Sequence, residues 1–176
     1  PQGVLCVLKQ FHYNIEEMLR DKAPLFLLLE NIQDPGNLGT MLRTGEGAGV
    51  SGIIMSRDTV DLYNPKVIRS TMGSIYRVPF YYADDFAAAV HQVQQAGVSV
   101  YAAHLRGKNS YACQDYTKGT AFLIGNEGNG LREETAELAD CYIRIPMEGK
   151  VESLNAAVAS SILMYEAHRQ RATIEK

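Results

Sequence analysis

Short apolar runs alternate along the chain with longer segments in which apolar positions recur at helical spacing. The apolar runs have the length and side-chain types of strands. They lie at Gly3–Leu8, Leu25–Leu29, Gly52–Met55, Val78–Tyr82, Val98–Ala103, Ala121–Ile124 and Cys141–Ile145. Two of them, Leu25–Leu29 and Ala121–Ile124, are apolar throughout, which is typical of strands covered on both faces in a parallel sheet.

Helical patterns occupy the intervals between these strands. We predict helices at Asn37–Ala48, Pro65–Met72, Asp84–Ala96, Leu131–Leu138 and Ser153–Arg171. Asp84 or Asp85 is expected to cap the third helix, and Ser153 the last one. Because strands alternate with helices, the pattern predicts an α/β fold whose mainly parallel sheet is flanked by helices.

The last predicted helix carries an apolar stripe and an unusually small beginning. The stripe follows i, i+4, i+8, i+11 spacing through Leu154, Val158, Ile162 and Tyr165. Residues 156–161 are mostly alanine and serine, which allows another backbone to approach closely. Two interpretations stay open for the small residues: tight packing within the domain, or an interface between subunits.

Composition narrows the class of protein. The chain has 176 residues, of which 46% are hydrophobic and 21% charged, and its net charge is −3. This length and apolar content predict one folded domain over residues 1–176 and exclude a disordered chain. No apolar run reaches 18 residues, so we expect no membrane span. The mild acidity argues against a surface coated in basic charge, although a local basic site is compatible with it.

The cysteines and the first residues bear on the cellular setting. Cys6, Cys113 and Cys141 are odd in number, far apart and without zinc-type spacing, so we expect small buried side chains, no metal site and a reducing cytoplasm. The chain opens at Pro1 without a methionine. We therefore expect a fragment of a longer protein.

A G-x-G-x-x-G sequence at Gly47, Gly49 and Gly52 resembles a dinucleotide-binding fingerprint. That fingerprint must follow a strand and open a helix, so that the helix N-terminus receives the pyrophosphate. Here the glycines close a helix and lead into a strand. We therefore expect helix termination and close packing, and the alternative of a nucleotide-dependent oxidoreductase is disfavoured.

A first candidate loop, Asp34–Asn37, follows a buried strand at the carboxyl end where α/β folds place ligands. In the helix after it, Gly39, Thr40 and Arg43 share one face. The small neighbours are expected to leave room beside the guanidinium. Arg43 is therefore a candidate ligand for an anion such as a phosphate.

Two further loops begin at the ends of later strands. Gly125–Gly130 holds three glycines in six positions, with Glu127 as its only charge, and glycine allows a backbone to approach a ligand closely. In the third segment a strand ends at Pro146, a short loop follows, and Ser153–Asn155 open the last helix. Asn155 forms helices poorly, and its side chain is expected to turn toward a site. Because all three loops follow strand ends, we expect them to converge on one pocket.

Together, these three segments resemble the SpoU (TrmH-type) family of RNA ribose 2′-O-methyltransferases within the SPOUT superfamily. The resemblance runs from about Pro1 to Arg171, with the motifs in family order and with family-like spacing. The matching motifs are Asn37–Thr44, Ile124–Leu131, Ile145–Met147 and Ser153–Ala159.

The resemblance implies a C-terminal trefoil knot, a homodimer whose active site draws on both subunits, and S-adenosylmethionine as cofactor. The cofactor residues that it implies are Ala102, Ala103, Gly125, Asn126, Gly128, Ile145, Met147 and Leu154. The implied catalytic residues are Arg43, Asn37, Glu127, Ser153 and Asn155.

The resemblance also implies a role for each catalytic residue. Arg43 would hold a substrate phosphate and polarise the ribose hydroxyl, because a guanidinium is a poor base. Asn37 would lie close by, and Glu127 would orient Arg43 or the ribose. Ser153 and Asn155 would position substrate and cofactor.

The implied substrate is RNA, and 23S ribosomal RNA is favoured over transfer RNA. Family members that act on ribosomal RNA often carry a small RNA-binding domain before a segment similar to residues 1–4, so we expect such a domain to be absent from this chain. A transfer RNA methyltransferase remains the first alternative. The second is a non-catalytic knotted RNA-binding protein, against which the intact motif residues argue.

Overall fold

The computed structural model describes Gly3, Val7 and residues 9–174, and it contains a parallel sheet between two layers of helices. The strand predicted at Gly3–Leu8 lies outside the described residues, apart from Gly3 and Val7. The described strands are β1 Leu25–Leu29, β2 Gly52–Ser56, β3 Phe80–Ala83, β4 Ser99–Ala103, β5 Asn109–Ser110, β6 Thr120–Ile124 and β7 Cys141–Arg144. Their order is β3-β2-β1-β6-β4-β7-β5, and every pair is parallel. The α/β prediction is confirmed.

The described helices lie between the strands, except that β4, β5 and β6 follow one another with no α-helix between them. They are α1 Ile15–Met18, α2 Pro35–Ala48, α3 Pro65–Ser70, α4 Phe86–Gln95, α5 Glu133–Ala136 and α6 Ala156–Ile174. Aspartates cap two of them: the Asp34 side chain accepts from the Asn37 N–H, and the Asp85 side chain accepts from the Ala88 N–H. The Asp34 cap explains why α2 begins two residues before the predicted Asn37.

Apolar side chains bury both faces of the sheet, as the uninterrupted strands predicted. All five residues of β1 are buried, and so are all five of β6. Leu27 and Leu29 point to the face covered by α2 and α6, where they join Leu42 and Met164. Phe26 and Leu28 belong to a second cluster on the opposite face, with α4. The two-sided core leaves the strand ends as the place for polar chemistry.

The glycines of the G-x-G-x-x-G sequence have the structural roles predicted for them. Gly49 adopts φ 77° and ends α2, and its N–H donates to carbonyls of the last helical turn. Gly52 opens β2, where a Cβ would lie 2.6 Å from the Met18 sulphur. These glycines therefore end helix α2 and allow close packing at the start of β2.

Several predicted boundaries were wrong for local reasons. The helix predicted at Leu131–Leu138 shrinks to α5, because the Arg132 N–H is bound to the Glu30 carboxylate outside the helix. The helix predicted at Pro65–Met72 ends at Ser70, because Met72 has a positive φ of 50° that no helix can continue. The short elements α1 and β5 were missed.

The beginning of α6 differs from the prediction in a way that matters for the site. Asn155 caps the helix, since its Oδ1 accepts from the N–H groups of Ala157 and Val158 at 2.9 and 3.3 Å. The prediction that Ser153 is the cap, with Asn155 inside the first turn, was wrong. The reason is that Asn155 reaches the free N–H groups from the position directly before the helix.

Helix α6 packs through its small residues, and part of its apolar stripe faces outward. Ala157 and Ser160 are buried, and the Ser161 hydroxyl lies 3.4 Å from that of Thr44 in α2. Val158 and Tyr165, which the stripe contains, each remain 49% exposed. Packing within the domain therefore accounts for the small residues, while Val158 and Tyr165 of the stripe stay half exposed.

Within the described ranges, no helix combines the length and apolarity needed to cross a membrane.

Candidate functional site

Amide and carboxylate side chains join the three predicted loops at the carboxyl edge of the sheet. The Glu127 carboxylate accepts from the Asn37 side chain at 3.0 Å. It also accepts from the backbone N–H groups of Gln33 and Asp34 at 3.1 and 3.0 Å. The Asn155 side chain donates to Asn37 Oδ1 at 3.0 Å. The predicted convergence of the three loops is therefore confirmed, and Asn37 lies at its centre.

The second loop is shaped by its own backbone and by Asn126. A Cβ on Gly125 would lie 2.2 Å from the Gly130 carbonyl carbon, so only glycine lets the loop fold back there. Asn126 and Gly130 then exchange two backbone hydrogen bonds of 3.0 and 2.9 Å. The Asn126 side chain donates to the Asn31 carbonyl at 2.8 Å, which fixes the second loop to the first.

The hydrogen bonds keep Glu127 ionised. Burial acts to raise the pKa of its carboxyl, but bonds from the Asn37 side chain and from the Asp34 and Gln33 N–H groups outweigh burial. The pKa therefore lies below its usual value. A carboxylate of this kind is a poor proton acceptor at neutral pH, and it serves as an anchor for the first loop.

A cavity of about 260 Å³ lies beside this network. All the predicted cofactor residues except Ala102 line it. The predicted residues that line it are Ala103, Gly125, Asn126, Gly128, Ile145, Met147 and Leu154. Glu127 and Ser153 line it as well. Ala102 does not, because it is fully buried in β4 between Leu123 and Tyr142 of the neighbouring strands.

The lining of the cavity combines apolar and hydrogen-bonding groups. Ile145, Met147 and Leu154 supply an apolar wall suited to a flat base, and Asn126 and Glu127 supply hydrogen-bonding groups. The volume lies near the lower end of the range of small-molecule sites, roughly 300–1,000 Å³. These walls fit a nucleoside with a polar tail.

The resemblance implied the backbone of residues 102–104 near the cofactor and no catalytic role for His104, and both His104 and Leu105 line the cavity. The His104 ring stacks on Tyr142 at 5.0 Å, and its Nδ1 accepts from the Arg106 N–H at 3.1 Å. Burial, together with the Arg106 charge, lowers the pKa of His104. The ring is therefore neutral at neutral pH. A histidine directly after a strand end was the only sequence signal for this position.

Arg43 lies apart from the cavity. It is exposed on α2 and forms no hydrogen bond or ion pair with the residues that the structure describes, Glu127 included. The room expected beside it is smaller than predicted, because a Cβ on Gly39 would lie 1.7 Å from the Ser70 hydroxyl. The missing side chain at Gly39 therefore makes room for helix α3 and not for a ligand.

A buried acidic residue, Glu30, holds the segment that follows the second loop. It is 1% exposed at the end of β1, and its carboxylate accepts from the Arg132 N–H at 2.8 Å and from the Thr135 hydroxyl. Arg132 also pairs with Asp58, which lies after β2. These bonds tie the second loop to the ends of two strands. In the sequence, this role of Glu30 was indicated only by a single charged residue directly after the five apolar residues of β1.

Among the described residues, no group of three or more histidine, cysteine, aspartate or glutamate side chains is arranged to hold a metal ion.

Comparison with known proteins relates this site to one family. The profile of the SpoU rRNA Methylase family matches residues 24–165. An uncharacterized tRNA/rRNA methyltransferase of Synechocystis is 35% identical over 174 residues, which are 97% of this chain and 62% of that protein. The 23S rRNA (guanosine-2′-O-)-methyltransferase RlmB of Ralstonia nicotianae is 34% identical over 163 residues, which are 92% of this chain and 66% of RlmB.

A solved structure shares the fold. The SpoU methyltransferase AviRb from Streptomyces viridochromogenes, in complex with AdoMet, superposes with a TM-score of 0.84 and 31% identity. The alignment covers 91% of this chain and 62% of AviRb. The chain thus spans a little under two thirds of the length of these three relatives. The profile match covers well over half of the chain, and the chain belongs to the SpoU rRNA methylase family.

Proposed function

We propose that the chain transfers a methyl group from S-adenosylmethionine to a ribose 2′-hydroxyl of RNA. The observation that carries this proposal is the hydrogen-bonded junction of the three motif loops, Glu127–Asn37–Asn155, beside a cavity lined by apolar and hydrogen-bonding groups. Family membership and the activities named for RlmB support the same reaction class.

The cavity is the proposed cofactor site. Ile145, Met147 and Leu154 would cover the adenine, and the loop around Asn126 would face the polar groups. When bound, S-adenosylmethionine supplies a methyl group already activated by the sulfonium charge. The protein then has two tasks, which are to align the ribose hydroxyl and to handle its proton. A neutral His104 in the wall avoids placing a second positive charge beside the sulfonium.

Arg43 would hold the substrate. Its guanidinium is exposed and without a partner among the described residues, so it is available for a bidentate contact with an RNA phosphate. A phosphate held there places the neighbouring ribose hydroxyl next to a cation, which polarises the O–H bond. Arg43 acts in this proposal as an electrostatic and positioning group, because a guanidinium is a hydrogen-bond donor without an acceptor.

The remaining motif residues would position the first loop and the substrate. Glu127 holds Asn37 and the backbone before α2 in place, and Asn155 holds the other side of Asn37. Ser153 lines the cavity from the third loop, where its hydroxyl is free to meet cofactor or substrate. In this chain Glu127 binds Asn37, so any role toward Arg43 or the ribose passes through the first loop.

We further propose that two copies of the chain form the working enzyme. Helices α2 and α6 run parallel, because Asn37 faces Asn155 and Thr44 faces Ser161. Arg43 is thus level with the exposed stripe of α6, of which Val158 and Tyr165 are half exposed. A second copy seated on this stripe would cover it and bring its own groups to Arg43, which the cavity of the same chain does not reach.

Ribosomal RNA, in particular 23S RNA, is the favoured substrate because RlmB is named for that activity. Transfer RNA is the second candidate, since the Synechocystis relative is named for both RNA classes. Either substrate places the reaction in the cytoplasm.

Replacing Arg43 by alanine tests the reaction. We expect Arg43→Ala to lower methyl transfer to RNA by at least about a hundredfold, because it removes charge stabilisation at the reacting group. The affinity for S-adenosylmethionine, measured by calorimetry, should stay within about threefold, because Arg43 does not line the cavity.

Arg20→Ala is the matched control. Arg20 is also an exposed arginine, but it precedes β1 at the opposite edge of the sheet. Transfer by this variant should match the original protein. Equal loss in both variants, or loss of cofactor binding in Arg43→Ala, would contradict the assignment. Cofactor binding without transfer to any RNA would favour the non-catalytic RNA-binding alternative.

A further inference from the structure

The turn Thr71–Ser74 displays a large apolar side chain on an unfavourable backbone. Met72 has φ 50°, in the left-handed region that side chains with a Cβ rarely adopt. Its neighbour Gly73 follows at φ 90°. Although apolar, Met72 is 69% exposed. Neither the backbone nor packing in the core explains a methionine at this position.

The turn is held rigidly by its own hydrogen bonds. Thr71 is fully buried, its hydroxyl donates to the Ile68 carbonyl at 2.8 Å, and it accepts from the Gly73 N–H at 3.3 Å. The Ser74 N–H donates to the Thr71 carbonyl at 3.0 Å. These bonds fix the backbone at Met72 between two anchored neighbours, and the Met72 side chain is exposed.

The same turn crosses the part of α2 that carries Arg43. Positions 39, 43 and 46 lie on one face of α2, at i, i+4 and i+7. Gly39 packs directly on Ser70, the last residue of α3, which directly precedes the turn. Glu46 pairs with Arg77, whose guanidinium lies 3.6 Å from the Cβ position of Gly73 at the other end of the turn. The segment that contains Met72 thus contacts α2 at residues on both sides of Arg43, and Met72 lies between those two contacts along the chain.

Building on the proposed function, we propose that Met72 is a specificity-determining residue that contacts the base of the target nucleotide. Arg43 would hold the phosphate while the Met72 thioether packs against the face of the base. Exposed apolar side chains on rigid backbone are used in this way to separate stacked bases, and sulphur packs favourably on aromatic rings. The site would then take a nucleotide from a loop, bulge or single strand, whose base is free to leave its stack.

Two variants of Met72 separate a contact with RNA from a role in folding. Asparagine tolerates the left-handed backbone but removes the apolar contact. Leucine keeps an apolar side chain and is as unfavourable as methionine in the left-handed region. We expect Met72→Asn to raise the KM for the RNA that the original protein methylates by about five- to tenfold, with an unchanged or higher Tm. Met72→Leu should keep the KM within about twofold, with an unchanged or slightly lower Tm. The affinity for S-adenosylmethionine should be the same in all three proteins.

The outcomes distinguish this inference from the proposed function on which it rests. If the original protein methylates no RNA, the proposed function fails before Met72 is tested. If it methylates RNA and Met72→Asn has the same KM, the role of Met72 is overturned while the reaction stands. A change in the mass of the particle in light scattering for Met72→Asn would place the turn between subunits, and that result would also overturn the inference.

Discussion

Single amide side chains hold the candidate site together at the residue scale. Asn155 caps α6 through its Oδ1 and donates to Asn37 through its Nδ2. Asn37 in turn donates to Glu127. The Asn155 side chain thus caps α6 and holds Asn37 at the same time. Aspartate lacks the N–H donor, and glutamine has a longer side chain.

Alanine at position 155 should therefore cost stability as well as activity. We expect Asn155→Ala to lower the free energy of unfolding by about 1–2 kcal/mol, because it removes a helix cap. Denaturant unfolding measures this value. Ser153→Ala is the control, since Ser153 is exposed and is not the cap, and its free energy of unfolding should stay within about 0.5 kcal/mol of the original. Similar losses in the two variants would contradict the assignment of the cap to Asn155.

Helices α2 and α6 form the element on which the dimer proposal rests. Their parallel course places Thr44 beside Ser161 and leaves part of the stripe of α6 turned outward. Burial on the inner side of α6 uses alanine and serine, so the larger apolar residues are available for a partner. The inner side of α6 thus packs within the domain, and its outer side is the surface proposed to contact a second copy.

A lysine on the outward side of α6 should prevent dimer formation. The original protein should have the mass of a dimer in light scattering. Val158→Lys should raise the dimer dissociation constant at least about tenfold, because a charge would be buried without a partner. Ala87→Lys, at an exposed position of α4 on the other face of the sheet, is the matched control and should remain dimeric. A monomeric original protein, or a dimeric Val158→Lys, would contradict the proposed interface.

The elements show what could be predicted from the sequence. Buried strands such as β1, and helices with an aspartate cap such as α2 and α4, follow from local pattern and cap chemistry. The end of α3 and the start of α5 do not, because they depend on the left-handed Met72 and on a bond from Arg132 to Glu30, 102 residues away in the sequence. The outward part of the stripe of α6 was also beyond prediction, since periodicity identifies an apolar face but not its partner.

The site was predictable for the same reason as the strands. The carboxyl ends of adjacent parallel strands meet at one edge, so loops that follow β1 and β6 had to lie together. The sequence could not show that Glu127 binds Asn37, that Ala102 is buried away from the cavity, or that His104 lines it. Those facts depend on which way each side chain turns after the strand ends.

At the scale of the whole molecule, a mildly acidic protein is proposed to act on a polyanion. The net charge of −3 gives little general attraction for RNA. Recognition would then rest on local groups, namely the exposed Arg43 and the turn that carries Met72. The cavity lies on the same edge of the sheet as the first loop, so cofactor and RNA would approach one another across Asn37.

The position of the transferred methyl group tests the central claim most directly. The protein is incubated with S-adenosylmethionine carrying a deuterated methyl group and with either 23S ribosomal RNA or transfer RNA, and the RNA is digested to nucleosides for mass spectrometry. We expect a 2′-O-methylnucleoside whose label stays with the ribose fragment. A label on the base, or no labelled nucleoside from either RNA while the cofactor binds, would contradict it.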